Sequence, residues 1–318
     1  MNIPITQSPE WQNLQDALGE TSFFKKEKDY QYLAILTKRP GGNYLYLPYG
    51  PVASTKEGFI RALASLQSLA KEQSAIFIRI EPQDAKMAQY LPVKAKKSKD
   101  ISPKDTWVLD LTPDVPTLLT NFSQGTRTRF NTYAKKGLSV EVTKDPEEIK
   151  HLVALQAKLF KEKHLNTFSE NYLRAELSQP FASLYLVKYH HPEGKDREEH
   201  EPADGQVLAA SLFFDYDGTR YYMQSAADTE YKKLPATVAL LSKAIFDAKK
   251  QGITKFDFWG VAPEGAPASH PWAGFTKFKQ SFGGHAVHYA GTYDIVVSPA
   301  KYHLYQATRR LNRLRRRI

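Results

Sequence analysis

Asp257-Phe258-Trp259-Gly260-Val261 leads through a Pro/Gly/Ala/Ser loop into His270-Pro271-Trp272-Ala273-Gly274-Phe275-Thr276-Lys277-Phe278-Lys279-Gln280-Ser281-Phe282-Gly283-Gly284. Residues 254–258 alternate and are rich in aromatics, which predicts a strand. The connection carries prolines and glycines, so it turns rather than coils. Residues 275–281 predict a short helix, and Gly283-Gly284 is a C-terminal stop. Phe275, Phe278 and Phe282 fall at i, i+3 and i+7 on one face. Lys279 sits at the edge of that apolar stripe. Two readings stay open on spacing alone: Lys277 and Lys279 form a solvated face, or an aromatic-held Lys279 is aimed at a ligand.

Outward from this corner the alternation of helices and strands continues. The order helix–strand–strand–helix–strand–helix–strand occurs twice, over 1–147 and 148–292, so an α/β fold with a duplicated architecture is expected. In the first half, helices are expected at 11–18, 58–73, 87–91 and 115–134, with strands at 30–37, 44–47, 75–80, 106–111 and 138–143. In the second half, helices are expected at 146–162, 169–177 and 235–251, with strands at 182–190, 206–216, 219–225, 254–258 and 286–297. Residues 192–204 read as a charged hairpin tip. A basic helix closes the chain at 300–318, and it is expected to dock on the first half. No Ser/Gly linker separates the halves, so a large interface with a cleft is expected.

The chain has 318 residues and carries a net charge of +10, with a pI of about 9.4. That balance points to a polyanionic partner: nucleic acid, nucleotide phosphates or an anionic membrane face. The sequence has no cysteine, which excludes disulfides, thiolate metal sites and a cysteine nucleophile. Residues 1–10 show no basic segment followed by an apolar run, and no run of 18 apolar residues occurs. A soluble cytoplasmic protein is therefore expected. No G-x-S-x-G, H-E-x-x-H or P-loop is present. Neither is the Gly-rich turn by which acyl-CoA folds hold phosphate. His190-His191 and His200 lie on the charged loop, where no metal site is expected. The densest internal basic cluster is Gly125–Gly137, with Arg127 as a candidate phosphate contact. Lys38-Arg39, beside a Gly-rich turn, offers a second.

Several blocks stand in order along the chain: Tyr46-Leu47-Pro48-Tyr49-Gly50-Pro51; Arg79-Ile80-Glu81-Pro82; Thr106-Trp107-Val108-Leu109-Asp110-Leu111; and Thr128-Arg129-Phe130-Asn131 with Ala134–Gly137. They are followed by Phe256–Gly260 and by Gly274–Lys279 with Phe282-Gly283-Gly284. In these blocks the sequence resembles the Fem (FemABX) peptidoglycan bridge aminoacyltransferases. The resemblance implies two tandem GNAT-like domains with a cleft between them and no coiled-coil insertion. Domain 1 would cover 1–147 plus 293–318 and bind the precursor. Domain 2 would cover 148–292 and face the aminoacyl-tRNA.

The resemblance also implies an activity. An amino acid would pass from aminoacyl-tRNA to the stem-peptide amine of a peptidoglycan precursor, UDP-MurNAc-pentapeptide or its lipid-linked form, with no metal or organic cofactor. Lys279, with Phe278, would take the catalytic place near the tRNA 3′ end. Lys38 and Arg39 would meet the precursor diphosphate. Tyr49, Asp110, Arg127, Tyr231 and Lys232 complete the candidate substrate contacts. The basic C-terminal helix leaves room for a peripheral contact with the cytoplasmic membrane face. Two other classes stay open: another GNAT-fold transferase, tRNA- or CoA-dependent, acting on a protein, peptide or lipid amine; and a basic RNA- or membrane-binding protein.

Overall fold

The computed structural model describes residues 3–163, 168–192, 194 and 200–315. The expected 192–204 hairpin tip falls partly outside them, as do the last three positions of the expected 300–318 helix. The chain divides into two compact units, residues 1–104 with 288–318 and residues 105–287.

The first unit opens with α1 (Pro9–Ala17), capped by the Ser8 hydroxyl, which accepts from Trp11 N–H. Strands β1 (Ser22–Lys26), β2 (Tyr30–Thr37), β3 (Tyr44–Leu47) and β4 (Val52–Ala53) follow. Helix α2 (Lys56–Glu72) is capped by Thr55 and buries Phe59, Leu63 and Leu66. Strand β5 (Phe77–Ile80), short helix α3 (Ala85–Ala88) and β6 (Lys96–Lys97) complete this part. Residues 22–28 read as polar and basic in sequence, yet Ser22–Lys26 are a strand. They form β1 because β2, wholly apolar on its inner face, supplies a complete antiparallel ladder from Ser22↔Ile35 to Lys26↔Gln31.

The second unit begins at β7 (Asp105–Asp110), followed by α4 (Val115–Asn121), α5 (Gln124–Thr132) and β8 (Leu138–Thr143). The single helix expected over 115–134 is broken at Phe122, which is extended, and Ser123 caps α5 by accepting from Thr126 N–H. Then come α6 (Ile149–Lys163), α7 (Glu170–Leu177), β9 (Ala182–Tyr189), β10 (Val207–Tyr216) and β11 (Thr219–Ala227). Helix α8 (Ala236–Lys250), β12 (Lys255–Gly260), α9 (Ala273–Gln280) and β13 (His285–His288) end this part. The chain returns to the first unit with β14 (Tyr293–Val296) and α10 (Pro299–Arg315).

Each unit holds one seven-stranded sheet. The first runs β1-β2-β3-β5-β14-β6, with β4 on β2; the second runs β13-β7-β12-β11-β10-β9-β8. Parallel pairs join β3 to β5 and β11 to β12. The unit boundaries differ from the sequence expectation of 147/148 and 292/293. Strand β7 pairs with β12, and β8 pairs with β9, so residues 105–143 belong to the second sheet. The single strand expected over 286–297 is two strands in two sheets, and Gly291 at φ 82° lies in the segment between them. Long-range pairing of this kind leaves no local mark in the sequence.

An ion pair ties each unit internally, fully buried in the first and part-buried in the second. In the first, Arg79 Nε and Nη2 fork onto the Asp294 carboxylate at 2.7 and 2.8 Å. Tyr302 on α10 donates to Asp294 at 2.9 Å. Tyr302 and Tyr305 pack on Phe77, so α10 docks on β5 and β14. In the second, Arg220 on β11 pairs with Asp215 and donates to Tyr185 Oη, Ala244 C=O and Gln251 Oε1. This fastens the β10–β11 hairpin to α8.

Breaking a buried pair strands the other charge. Asp294→Ala is expected to destabilise the protein by about 3–5 kcal/mol in urea unfolding, because Arg79 cannot shed its charge. A loss below about 1 kcal/mol would contradict the pairing.

Candidate functional site

The strand–loop–helix corner lies wholly inside the second unit. Strand β12 is flanked by β11 and β7. Its parallel pairing with β11 covers three positions, Thr219↔Lys255 to Tyr221↔Asp257. Against β7 it pairs Asp257↔Val108 and then Gly260↔Thr106, so β12 holds one extra residue. Such a bulge re-aims backbone and side chains. Trp259 takes up the extra length with φ 64°, a left-handed conformation uncommon for a bulky residue. The Asp257 carboxylate holds the kink by accepting Trp259 N–H at 2.7 Å.

Helix α9 crosses this kink. Lys277 is exposed, whereas Lys279 is 8 % exposed, so the two lysines belong to different faces. Lys279 Nζ donates to the Gly260 carbonyl at 2.7 Å. It lies 5.1 Å from the Phe275 ring centroid and 5.8 Å from that of Tyr222. Among the described residues Gly260 is its single hydrogen-bond acceptor, so two of the three ammonium N–H groups are left for a ligand.

Burial lowers the Lys279 ammonium to about 8, and the Asp257 carboxylate opposes that fall. Burial raises Asp257 to about 7, against the Trp259 N–H and the Lys279 charge. Both groups are therefore charged in only a narrow window near neutrality. At pH 7 the lysine is a cation in a dry setting, where a charge acts most strongly.

The helix is fixed at its far end. Ser123 N–H donates to Ser281 C=O at 2.7 Å, and Thr126 Oγ1 donates to Ser281 Oγ at 2.8 Å. Gly284, at φ 97°, approaches β7 so closely that a Cβ there would lie 2.4 Å from Val108 O. Trp107 Nε1 donates to Gly283 C=O at 2.7 Å. Phe278 is half-buried in the core, edge-on to the fully buried Phe282 at 5.4 Å. Its ring anchors α9 to the core, one residue before Lys279. Phe275, which shares the apolar stripe with Phe282 in the sequence, is 39 % exposed.

The other candidate residues of the second unit take local roles. Asp110 pairs with Lys255, four β7 residues from Thr106, the partner of Gly260; at a rise of ~3.3 Å per residue this is ~13 Å along the strand. Its carboxylate accepts from the Thr112 N–H and hydroxyl, which lower its pKa. That is a strand-end turn, and the structure does not bring Asp110 to Lys279. Arg127 donates to the Thr120 and Phe122 carbonyls, capping α4. Tyr231 packs against the core and Lys232 is exposed.

In the first unit Tyr49 is buried and donates to Pro103 C=O at 2.8 Å. Lys38 and Arg39 are exposed on the β2–β3 loop. His190 meets Ser139 and His191 meets Glu201. Among the described residues no three His, Asp or Glu side chains are grouped to hold a metal.

Sequence reasoning missed Asp257, Tyr222 and the Gly260 carbonyl. Asp257 carried a readable signal, an acid inside an aromatic strand, since a buried carboxylate needs a partner.

With this geometry in place, the comparisons are specific. The FemAB family model matches residues 174–310, from α7 into α10. The chain is similar to the solved structure of FemX at 18 % identity and TM-score 0.80, over 95 % of this chain and 94 % of that one. It is similar to L-PGS from Bacillus licheniformis at 14 % identity and TM-score 0.60, over 98 % and 99 %. A tandem GNAT protein from the clavulanic acid biosynthesis pathway is similar at 12 % identity and TM-score 0.53, over 85 % and 80 %. The architecture is thus a pair of tandem GNAT-like units, with no coiled-coil arm among the described residues. No curated protein matches the sequence.

Asp257→Asn removes the charge that opposes Lys279 deprotonation, so the alkaline limb of any Lys279-dependent activity is expected to move to lower pH. The sign on stability differs by group. Asp257 binds a proton more tightly folded than unfolded, so its contribution is full below pH 3.8 and is lost as pH rises through about 7. Asp257→Asn is expected to abolish that decline in urea-unfolding free energy between pH 4 and 7. An unchanged slope would contradict the burial argument.

Proposed function

We propose, from the match of residues 174–310 to the FemAB family model, that the chain is a tRNA-dependent aminoacyltransferase acting on a peptidoglycan precursor. The observation that carries the proposal is Lys279, a buried ammonium with two N–H groups unspent on one side of a kinked strand. The family match and the FemX and L-PGS likenesses support an aminoacyl-tRNA donor. The acceptor is the stem-peptide amine of UDP-MurNAc-pentapeptide or its lipid-linked form.

The chemistry suits those residues. The neutral amine attacks the ester carbonyl carbon of the charged tRNA, and a C–N bond forms. The carbonyl oxygen becomes an oxyanion, which the Lys279 N–H groups meet. As the tetrahedral intermediate collapses, the C–O bond to the terminal ribose breaks. The amine gives up a proton and the ribose hydroxyl gains one. The donor is already an activated ester, so no protein nucleophile is required. A preorganised donor of this kind is worth about 10²–10³ in kcat. Asp257 sets the kink and keeps Lys279 charged; Phe278 and Phe282 hold the helix beneath it.

Exposed Lys38 and Arg39 are the proposed contacts for the precursor diphosphate, with Lys232 as a further basic contact. These substrates place the reaction in the cytoplasm, with the basic α10 next to the membrane face when the acceptor is lipid-linked. No helix among the described residues is long and apolar enough to cross a membrane.

Incubation with a mixed pool of charged tRNAs and UDP-MurNAc-pentapeptide is expected to raise the acceptor mass by one aminoacyl residue, and ribonuclease should abolish the gain. Acyl transfer from acyl-CoA, with no gain from charged tRNA on either the UDP-linked or the lipid-linked acceptor, would overturn the proposal.

A further inference from the structure

An aromatic pair, Trp272 and Phe275, lies beside Lys279.

Trp272 and Phe275 are each 39 % exposed, while Trp11 and most phenylalanines of the chain are buried. Their rings lie 5.7 Å apart with an interplanar angle of 42°. Nothing in the core requires them to face water, and large exposed aromatics mark contact surfaces. The pair is held in place. Trp272 C=O accepts from Thr276 Oγ1 at 2.7 Å and from Thr276 N–H at 3.0 Å. Trp272 N–H donates to His270 Nδ1 at 3.1 Å. Thr276 Oγ1 also accepts Ala262 N–H at 2.9 Å, which ties the loop to the end of β12. The surface is therefore preorganised, and ordering it on binding costs little.

Residues 272, 275 and 279 follow at i, i+3 and i+7, one face of α9 and the turn before it. That face runs from exposed rings to the buried ammonium, and the Phe275 centroid lies 5.1 Å from Lys279 Nζ. The local charge is positive: Lys277 is exposed, and Glu264 is the only acid between 261 and 284. Flat rings beside cations, leading to a reactive centre, match a single-stranded nucleic-acid end, whose bases stack on aromatics while its phosphates meet lysines.

We propose that Trp272 and Phe275 form a stacking platform for the unpaired 3′-terminal bases of an RNA, which delivers the terminal ribose to Lys279. This rests on the tRNA-dependent reading above and names the residues that hold its donor. The platform recognises base planes, so it tolerates differences in the tRNA body.

The test uses the RNA tetranucleotide ACCA, uncharged, with the full chain. Intrinsic fluorescence comes from four tryptophans, and Trp272→Phe isolates the contribution of Trp272. ACCA is expected to quench the wild-type protein, and the Trp272 difference signal should carry that quenching. Trp272→Ala and Phe275→Ala are each expected to weaken binding about tenfold, while Trp272→Phe retains it. An abasic tetranucleotide should bind weakly and leave fluorescence unchanged. In transfer assays both alanine variants should raise KM for charged tRNA, with kcat retained in Trp272→Ala. Both positions are exposed, so melting temperatures should match the wild type.

Equal affinity of wild type and both alanine variants for ACCA would overturn the platform, as would equal quenching by the abasic strand. Transfer with wild-type KM in both variants would overturn the platform and leave the transferase standing. Base-dependent quenching by ACCA without aminoacyl transfer would overturn the transferase and uphold the platform.

Discussion

A lysine ammonium nearly removed from water needs acceptors or it gives up its proton. Lys279 keeps its proton near neutrality because the Gly260 carbonyl accepts from it and the charge of the Asp257 carboxylate on the same strand opposes its loss. Much of the second unit serves that arrangement. The extra residue in β12 turns Gly260 towards α9, and Trp259 accepts a left-handed backbone to make the turn. Ser123 and Thr126 hold the end of α9, and Gly283-Gly284 let it lie against β7. Sequence blocks separated by more than a hundred residues are thus one mechanical unit. The Thr126 region supports the helix end, the Asp257 region supplies the kink, and the Phe275–Gly284 region carries the cation.

The same fold explains why basic and aromatic residues of similar appearance end in different roles. Arg127 and Asp110 spend their polar atoms on local backbone, as a helix-end cap and a strand-end turn. The Tyr49 hydroxyl is spent on Pro103. Lys38, Arg39 and Lys232 are exposed to water. Side chains already satisfied inside the protein have less to offer a ligand, so hydrogen-bond accounting separates candidates that composition leaves equal.

The α/β alternation, most strands and the strand–loop–helix corner were legible because hydrophobic period and turn residues are local signals. The unit boundary was not. Strands β7 and β8 look like the end of the first half, and only their pairing with β12 and β9 assigns them to the second sheet. The break between α4 and α5 was readable in part, since Ser123 has the spacing of a cap. Helical period alone placed Lys279 beside the apolar stripe and Phe275 within it. Tertiary packing reversed both, burying the lysine and exposing the ring. Burial of a charge depends on what crosses the helix, here the β12 kink, and no window around residue 279 contains that information.

The most direct measurement is single-turnover aminoacyl transfer by Lys279→Met, with charged tRNA prebound and acceptor added, beside a thermal melt of the variant. If Lys279 stabilises the oxyanion, the chemical step should slow by about 10²–10³ while tRNA affinity changes little. A folded Lys279→Met protein that transfers at the wild-type rate would contradict the account.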